Sequence, residues 1–265
     1  VTAVARERLC IGDVPVDRIS FDAALSRLSE MVDSGRGGMV FTPNVDHVVL
    51  AREDARLRAA YDAADLSVAD GMPIVWAARL LGRPVPEKIS GSDLVPRLMA
   101  LAEVEGWRVF LLGGQESVAH AAVSELRRRH PALSLVGTAS PQIELTDSAE
   151  ARQGVIDTVR AARPELVLVC LGAPKQELWI HSVAAALRPA VLLGVGAAVD
   201  FLAGTSRRAP SWMSSAGLEW VYRLAHEPRR LWRRYLVRDP KFLGIVARDL
   251  WLQRNGSARA EVIRP

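Results

Sequence analysis

The stretch Leu166 to Ile180, reading LVLVCLGAPKQELWI, constrains the fold more than any other. Leu166 to Leu171 is an unbroken apolar run rich in Val and Leu. A strand with one wet face alternates apolar and polar residues, so a run apolar throughout belongs to a strand covered on both faces, as in a parallel sheet between helices. Gly172-Ala173-Pro174 turns the chain, and Pro174 suits the first turn of a helix, where its missing N–H costs nothing. From Lys175 to His181 the pattern is helical, with Leu178 and Trp179 placed to face the sheet. Lys175, Gln176 and Glu177 fall on the first turn, where unpaired N–H groups and the positive end of the helix dipole attract anions. Spacing alone leaves two readings open. One is a ligand-binding turn beyond the carboxyl end of a strand. The other is a helix cap with solvated charges.

Similar units recur along the chain. Leu9 to Ile19 reads as a hairpin turned at Gly12-Asp13. Phe21 to Ser34 reads as an amphipathic helix, and Met39 to Thr42 as a strand running into Pro43-Asn44. Asp46 to Ala64 is helical with a break near Glu53, and Leu66 to Ala69 is a strand ended by Asp70-Gly71. Helices follow from Pro73 and from a Ser90-Gly91-Ser92-Asp93 cap. Further strands are expected over Arg108 to Leu112, Leu133 to Gly137 and Ala190 to Val195. Alternating strands and helices with short connections predict an α/β fold: an open, mostly parallel sheet with helices on both faces, Rossmann-like. Ser206 to Pro210 reads as a boundary. It divides an α/β core over 1–206 from a basic helical appendage over 207–265.

Charge sets that last segment apart. The 265 residues carry a net charge of +4, yet between Arg207 and Arg254 eleven Arg and Lys face four acids. The rest of the chain is therefore net acidic, and the appendage calls for an anionic partner. Four of the seven Trp residues also lie there (Trp212, Trp220, Trp232, Trp251), interleaved with arginines as on a helix lying in a membrane interface. The alternative is that these helices pack on the core and turn their arginines to water. Two widely separated cysteines, Cys10 and Cys170, suggest no disulfide framework and fit a reducing compartment. The charged N-terminal residues do not read as a signal peptide, and no apolar run approaches the roughly 20 residues of a spanning helix. A soluble or peripheral protein is expected.

Candidate sites sit at strand ends. Gly113-Gly114, Gly172 and Gly194-Val195-Gly196 could each hold phosphate. The last resembles a dinucleotide fingerprint, except that Val199 stands where a third small residue belongs. Asp70 follows a strand and precedes Gly71. It reads either as a general base beside a cleft or as a cap for the helix opened by Pro73. No Asp-x-Asp pair and no His/Cys cluster with ligand spacing occurs, so no catalytic metal is expected.

Eight motifs appear in order: TPN at Thr42 to Asn44, ADG at Ala69 to Gly71, ISG at Ile89 to Gly91, LLGG at Leu111 to Gly114, LGAPKQE at Leu171 to Glu177, GVGAAVDFLAG at Gly194 to Gly204, RAPSW at Arg208 to Trp212, and GLEWVYRLAHEPRRLWRRY at Gly217 to Tyr235. Together they resemble the WecG/TagA/CpsF family, glycosyltransferase family 26, over about residues 10 to 240. The resemblance implies an inverting, metal-independent transfer of a sugar from a UDP-sugar to a polyprenyl-diphosphate-linked acceptor in cell-wall or exopolysaccharide synthesis. The sugar would be N-acetylmannosamine-like, its uronic acid, or a hexose. It implies Asp70 as base, with Thr42, Asn44, Gly71 and Gln176 around the substrate. Gly113, Gly114, Gly172, Pro174, Lys175 and Glu177 are expected to hold the nucleotide. Arg208 or Arg223 is expected to reach over from the appendage to the leaving diphosphate. No cofactor and no nucleic-acid partner is implied, a homo-oligomer is compatible, and the protein is expected in the cytoplasm on the inner face of the plasma membrane. At Thr138 to Ile143 the chain lacks the Gly- and aromatic-rich loop common in the family, which leaves the donor contacts there open. Two other classes compete on composition alone: a Rossmann-type nucleotide- or NAD-binding oxidoreductase, and a basic nucleic-acid binder.

Overall fold

The computed structural model describes residues 7–144, 148–205 and 208–256. β1 (Arg8–Ile11) and β2 (Val14–Asp17) form the expected antiparallel hairpin. β3 (Gly38–Phe41), β4 (Leu66–Ser67), β5 (Arg108–Gly113), β6 (Ser134–Ala139), β7 (Leu166–Cys170) and β8 (Val191–Gly194) form a six-stranded sheet in the order β4-β3-β8-β7-β5-β6. Every neighbouring pair in that sheet is parallel. The helices are α1 (Phe21–Asp33), α2 (Val45–Glu53), α3 (Ala55–Asp62), α4 (Met72–Leu80), α5 (Gly91–Glu105), α6 (Glu116–Arg129), α7 (Ala149–Ala162), α8 (Lys175–Val183) and α9 (Ala198–Leu202). They continue as α10 (Ser211–Ser215), α11 (Glu219–His226), α12 (Pro228–Trp232), a π-helical turn (Arg233–Arg238) and α13 (Lys241–Arg254). This is the expected open α/β architecture.

β7 shows why the apolar run had no polar positions. Val167 and Val169 enter one hydrophobic cluster, together with the hairpin, α2, α3, α4 and α8. Leu166, Leu168 and Cys170 enter a second cluster on the other face, with α1, α5, α6 and α9. Burial pushes the Cys170 thiol well up from its ordinary value, so it packs as a small apolar group. The expected break near Glu53 falls at Asp54, which ends α2 and accepts the Arg56 N–H to open α3. Ser90 caps α5 by accepting from Asp93 N–H at 3.2 Å.

Two features tie the chain's ends into this core. Arg8 Nε donates to Asp17 Oδ1 at 2.8 Å, and Asp17 Oδ2 accepts the Ser67 N–H at 2.7 Å, so the hairpin is fastened to β4 by a buried ion pair. At the other end α13 buries Phe242 and Val246 in the hairpin's cluster, and Asp249 Oδ2 accepts the Gly12 N–H at 2.6 Å. Ser206, where the boundary was expected, lies outside the described residues. The segment beyond it packs on the core through α13, which enters the same cluster as β1 and α2. Removing one partner of a buried ion pair strands the other charge, which costs about 3–5 kcal/mol. Asp17→Ala is expected to lose stability of that order in urea unfolding. A change under about 1 kcal/mol, the level of surface pairs, would show that the pair is dispensable.

Candidate active site

All the sequence-predicted core positions lie at the carboxyl ends of the parallel strands. Asp70 follows β4, Thr42 and Asn44 follow β3, and Gly194 to Gly196 follow β8. Gly172 to Gln176 follow β7, and Gly113-Gly114 end β5. The sheet order thus draws five turns, scattered over some 150 residues of sequence, into one line. Cross-links hold them: Asp70 N–H donates to Pro43 O at 2.9 Å, Thr42 Oγ1 donates to Gly194 O at 3.4 Å, and Gly114 N–H donates to Cys170 O at 3.0 Å.

Asp70 is not a helix cap. The residue before α4 is Gly71, at φ 105°, and no side chain caps that helix. A Cβ is strained at such a φ, so glycine here lets the chain turn sharply and leave the preceding carboxylate at the strand end. The half-buried Asp70 carboxylate makes no hydrogen bond or ion pair to any other described residue. Its surroundings are charged. Burial, then the negative charge of Glu219, pushes its pKa up from 3.8 to about 6, while Lys88, His47 and Arg223 pull the other way. A partly desolvated carboxylate with a pKa near the working pH is what a general base needs.

Deeper in the cleft the groups are buried and engaged. Gln176 Oε1 accepts the Gly196 N–H at 2.9 Å, so its Nε2 faces Glu177 Oε1, at 2.7 Å. A Cβ on Gly194 would press within 3.2 Å of Gln176 Nε2, which is why that turn is bare. Glu177 was expected to hold nucleotide. Instead it has no exposed surface, and its carboxylate points inward to Gln176 and to His47 Nε2 at 3.2 Å. The Gly196 N–H that a dinucleotide phosphate would use is taken by Gln176, which weakens the NAD reading physically. Lys175 reaches sideways to Glu144 at 3.0 Å. Pro174 stands just before α8 rather than inside it, after a cis peptide. Gly113 is buried against Cys170, whereas Gly114 is exposed and Gly172 opens on free space.

The arginines divide differently from expectation. Arg208 is exposed and paired with Asp93 at 2.9 Å. Arg223 is half-buried, makes no hydrogen bond or ion pair to any described residue, and acts on the carboxyls of both Asp70 and Asp200. Sequence reasoning missed Arg234 and Arg238. From the π-helical turn Arg234 NH2 donates to Asn44 Oδ1 and Arg238 NH2 to Asp46 Oδ2, both at 3.0 Å. It also missed Lys88, which lies 2.9 Å from Asp93 and 4.0 Å from Glu219, beside Asp70. The i, i+4 spacing of Arg234 and Arg238 was the available signal, since such residues share a helix face.

Residues 9–256 match the profile described as the Glycosyl transferase WecG/TagA/CpsF family. The chain belongs to this family. It is therefore a glycosyltransferase, of the hexosyl-transferring kind, and the oxidoreductase and nucleic-acid readings fall. Two relatives carry the name N-acetylglucosaminyldiphosphoundecaprenol N-acetyl-beta-D-mannosaminyltransferase. The one from Bacillus spizizenii is 31% identical over 238 residues, covering 88% of this chain and 90% of its own. The one from Bacillus subtilis is 30% identical over 218 residues, covering 82% of each.

The raised pKa of Asp70 has a thermodynamic consequence. Between pH 3.8 and about 6 the folded state holds this proton more tightly than the unfolded chain. Stability from this group is thus complete below the unfolded pKa and is lost as pH rises through the folded one. At pH 7 the ionised carboxylate costs on the order of 2 kcal/mol, allowing for partial solvent access. Asp70→Asn is expected to raise Tm by a few degrees at pH 7, with the gain vanishing below about pH 4, as calorimetry against pH would read. An unchanged Tm across that range would mean that Asp70 is not desolvated.

Proposed function

We propose that this protein transfers N-acetylmannosamine, with inversion, from its UDP derivative to an N-acetylglucosaminyl-diphosphate-polyprenol acceptor in bacterial cell-wall polymer synthesis. The observation that carries the reading is Asp70: an unpaired carboxylate at the end of β4, shifted towards neutral pH, with Lys88 and Arg223 near it. The names of the two relatives supply the sugar and the acceptor. In this mechanism Asp70 takes the proton of the acceptor sugar's hydroxyl. The freed oxygen attacks the anomeric carbon from the face opposite UDP, the bond to the β-phosphate oxygen breaks, and its electrons leave with the diphosphate. Arg223 and Lys88 are cations that act on the base, and N–H groups of the turns after β5 and β7 can meet the growing negative charge. Thr42, Asn44 and Gln176 orient the sugar. No three His, Cys, Asp or Glu side chains gather as metal ligands among the described residues, and this reading routes the leaving charge through cations of the chain.

The acceptor's lipid belongs in a membrane, and the reading includes docking at its inner face. No helix among the described residues is long and apolar enough to cross one. What supports docking is the C-terminal surface: Trp212, Trp220, Trp232, Leu236, Val237, Leu243 and Trp251 are exposed, among Arg229, Arg230 and Arg233. Leu231, beside Trp232, is buried and takes no part in this surface. Aromatic and aliphatic side chains among arginines suit an interfacial position, and each cation near an anionic surface adds about 1 kcal/mol. Because α13 is core, point changes test docking better than truncation.

Three outcomes follow. Asp70→Asn is expected to lower turnover by roughly 10²- to 10⁴-fold while UDP binding persists; near-parental turnover in the folded variant removes Asp70 from the mechanism. Mass-spectrometric assay should find activity undiminished in excess EDTA, and loss restored by Mg²⁺ or Mn²⁺ would contradict the cation-only account. Trp232→Ser with Leu236→Ser should abolish sedimentation with anionic liposomes yet spare turnover of a water-soluble acceptor. Unaltered liposome binding would sink the docking surface.

A further inference from the structure

Glu177 stands on the first turn of α8, where an exposed glutamate would serve the helix dipole equally well. Instead it has 0% exposure. Burying a carboxylate is costly unless hydrogen bonds compensate, and the bonds it makes are unusual in direction. A single oxygen, Oε1, accepts from Gln176 Nε2 at 2.7 Å and meets His47 Nε2 at 3.2 Å. Beyond Gln176 lies the Gly196 N–H of the β8 turn. Beyond His47 lies Asn44 of the β3 turn, through its N–H at 3.2 Å and its Oδ1 at 2.9 Å from Nδ1. Neutral His47, with its proton on Nε2, accepts the Asn44 N–H. The imidazolium form donates to Asn44 Oδ1, so either form keeps the connection. Tyr61 packs edge-on to the His47 ring at 6.2 Å and walls the pair from solvent.

We propose that Glu177 is a positioning residue for sugar transfer: its buried carboxylate holds the Gln176 amide and the His47 imidazole together, and so fixes the turns after β3, β7 and β8 in one relative geometry. These strands are neighbours in the sheet, and their turns carry Asn44, Gln176 and Gly194 to Gly196. Glu177 itself touches no substrate. It sets which end of the Gln176 amide faces the cleft, and it ties that choice to Asn44. This rests on the reading, made above, that Gln176 and Asn44 contact the sugar donor.

A double-variant cycle in the full chain tests it: Glu177→Gln, Gln176→Ala and the pair, each with Tm and with kcat and KM for transfer from UDP-N-acetylmannosamine to a soluble N-acetylglucosaminyl-diphosphate-lipid analogue. Glu177→Gln keeps the size and an acceptor oxygen but loses the charge. It is expected to lower kcat/KM roughly 10- to 100-fold, as loss of an orienting partner does around metal ligands, with Tm within a few degrees of the parent. The pair should lose clearly less than the product of the two single losses, because Glu177 acts through an amide already removed. Parental kinetics in Glu177→Gln, or losses that simply multiply, overturn the proposal while leaving an impaired Gln176→Ala in place. Parental kinetics in Gln176→Ala instead sink the substrate-contact reading, and this proposal with it. If Glu177→Gln does not fold, His47→Gln breaks the same node from α2 and takes its place in the cycle. Failure of both to fold would assign the cluster to stability alone, which also overturns it.

Discussion

β3 and β7 send the chain to α2 and α8 on one face of the sheet, while β8 between them and β5 beyond send it to α9 and α6 on the other. Strands whose chains leave to opposite faces cannot close over one another, so a crevice opens at their carboxyl ends. The central strand β7 below the crevice is apolar on both faces, so its polar neighbours stand at the strand end. The turns are short and cross-linked: the backbone of Asp70 pairs with that of Pro43 and Gly114 with Cys170, while the Gly196 N–H donates to the Gln176 side chain. The site is thus built on strand ends fixed by the sheet, which is where catalytic geometry is most easily held.

Four carboxylates enter the crevice and meet burial in different ways. Asp46 is held by Arg234 and Arg238 of the π-helical turn. Asp93 lies between Lys88 and Arg208, which with the Ser90 hydroxyl draw its pKa down against the effect of its burial. Glu177 meets Gln176 and His47 through Oε1 alone, and its Oε2 is buried without a hydrogen-bond partner among the described residues. Asp70 has no such partner, and its pKa moves towards neutrality. Paired carboxylates are poor bases because their charge is already stabilised; the unpaired one keeps its proton affinity. On the proposed mechanism, proton transfer falls to Asp70 and structural or positioning work to the rest. What separates them is burial and the partners each one meets, not the chemistry of the acids themselves.

How far this was legible in the sequence follows from the range of the interactions. β7 and α8 were readable because a parallel strand and its helix are local: an apolar run, a Gly-Pro turn, a helical period. The break at Asp54 and the caps at Ser20 and Ser90 were readable for the same reason. The family motifs marked the turns that lie together at the strand ends, the one carrying Asp70 among them. The inward turn of Glu177 was not readable, since nothing in Lys-Gln-Glu distinguishes a glutamate facing phosphate from one facing a histidine 130 residues away. For Arg234 and Arg238 the spacing showed a shared helix face but not its partner, since Asp46 is some 190 residues distant. Composition marked the last segment as basic and aromatic, but the packing of Phe242 and Val246 against the hairpin depended on α13's place in space.

That packing changes what the basic segment is for. Its arginines divide into two groups by partner. Arg234 and Arg238 are half-buried and fasten the π-helical turn to Asn44 and Asp46, while Arg208 is engaged with Asp93. A π-helical turn inserts an extra residue per bond into the helix and re-aims the side chains around it, and here both re-aimed arginines meet the amino end of α2. Arg223, Arg229 and Arg233 make no ion pair with any described residue. Arg223 is the half-buried one, close enough to Asp70 to act on its carboxyl, while Arg229 and Arg233 face water. An arginine already held by a carboxylate has little field left for a phosphate, because the pair screens itself; an unpaired one keeps its full charge. Fastening by one set of arginines is therefore what leaves the other set available at a fixed place. Of the unpaired set, Arg223 is the one whose charge reaches the crevice, through Asp70 and Asp200.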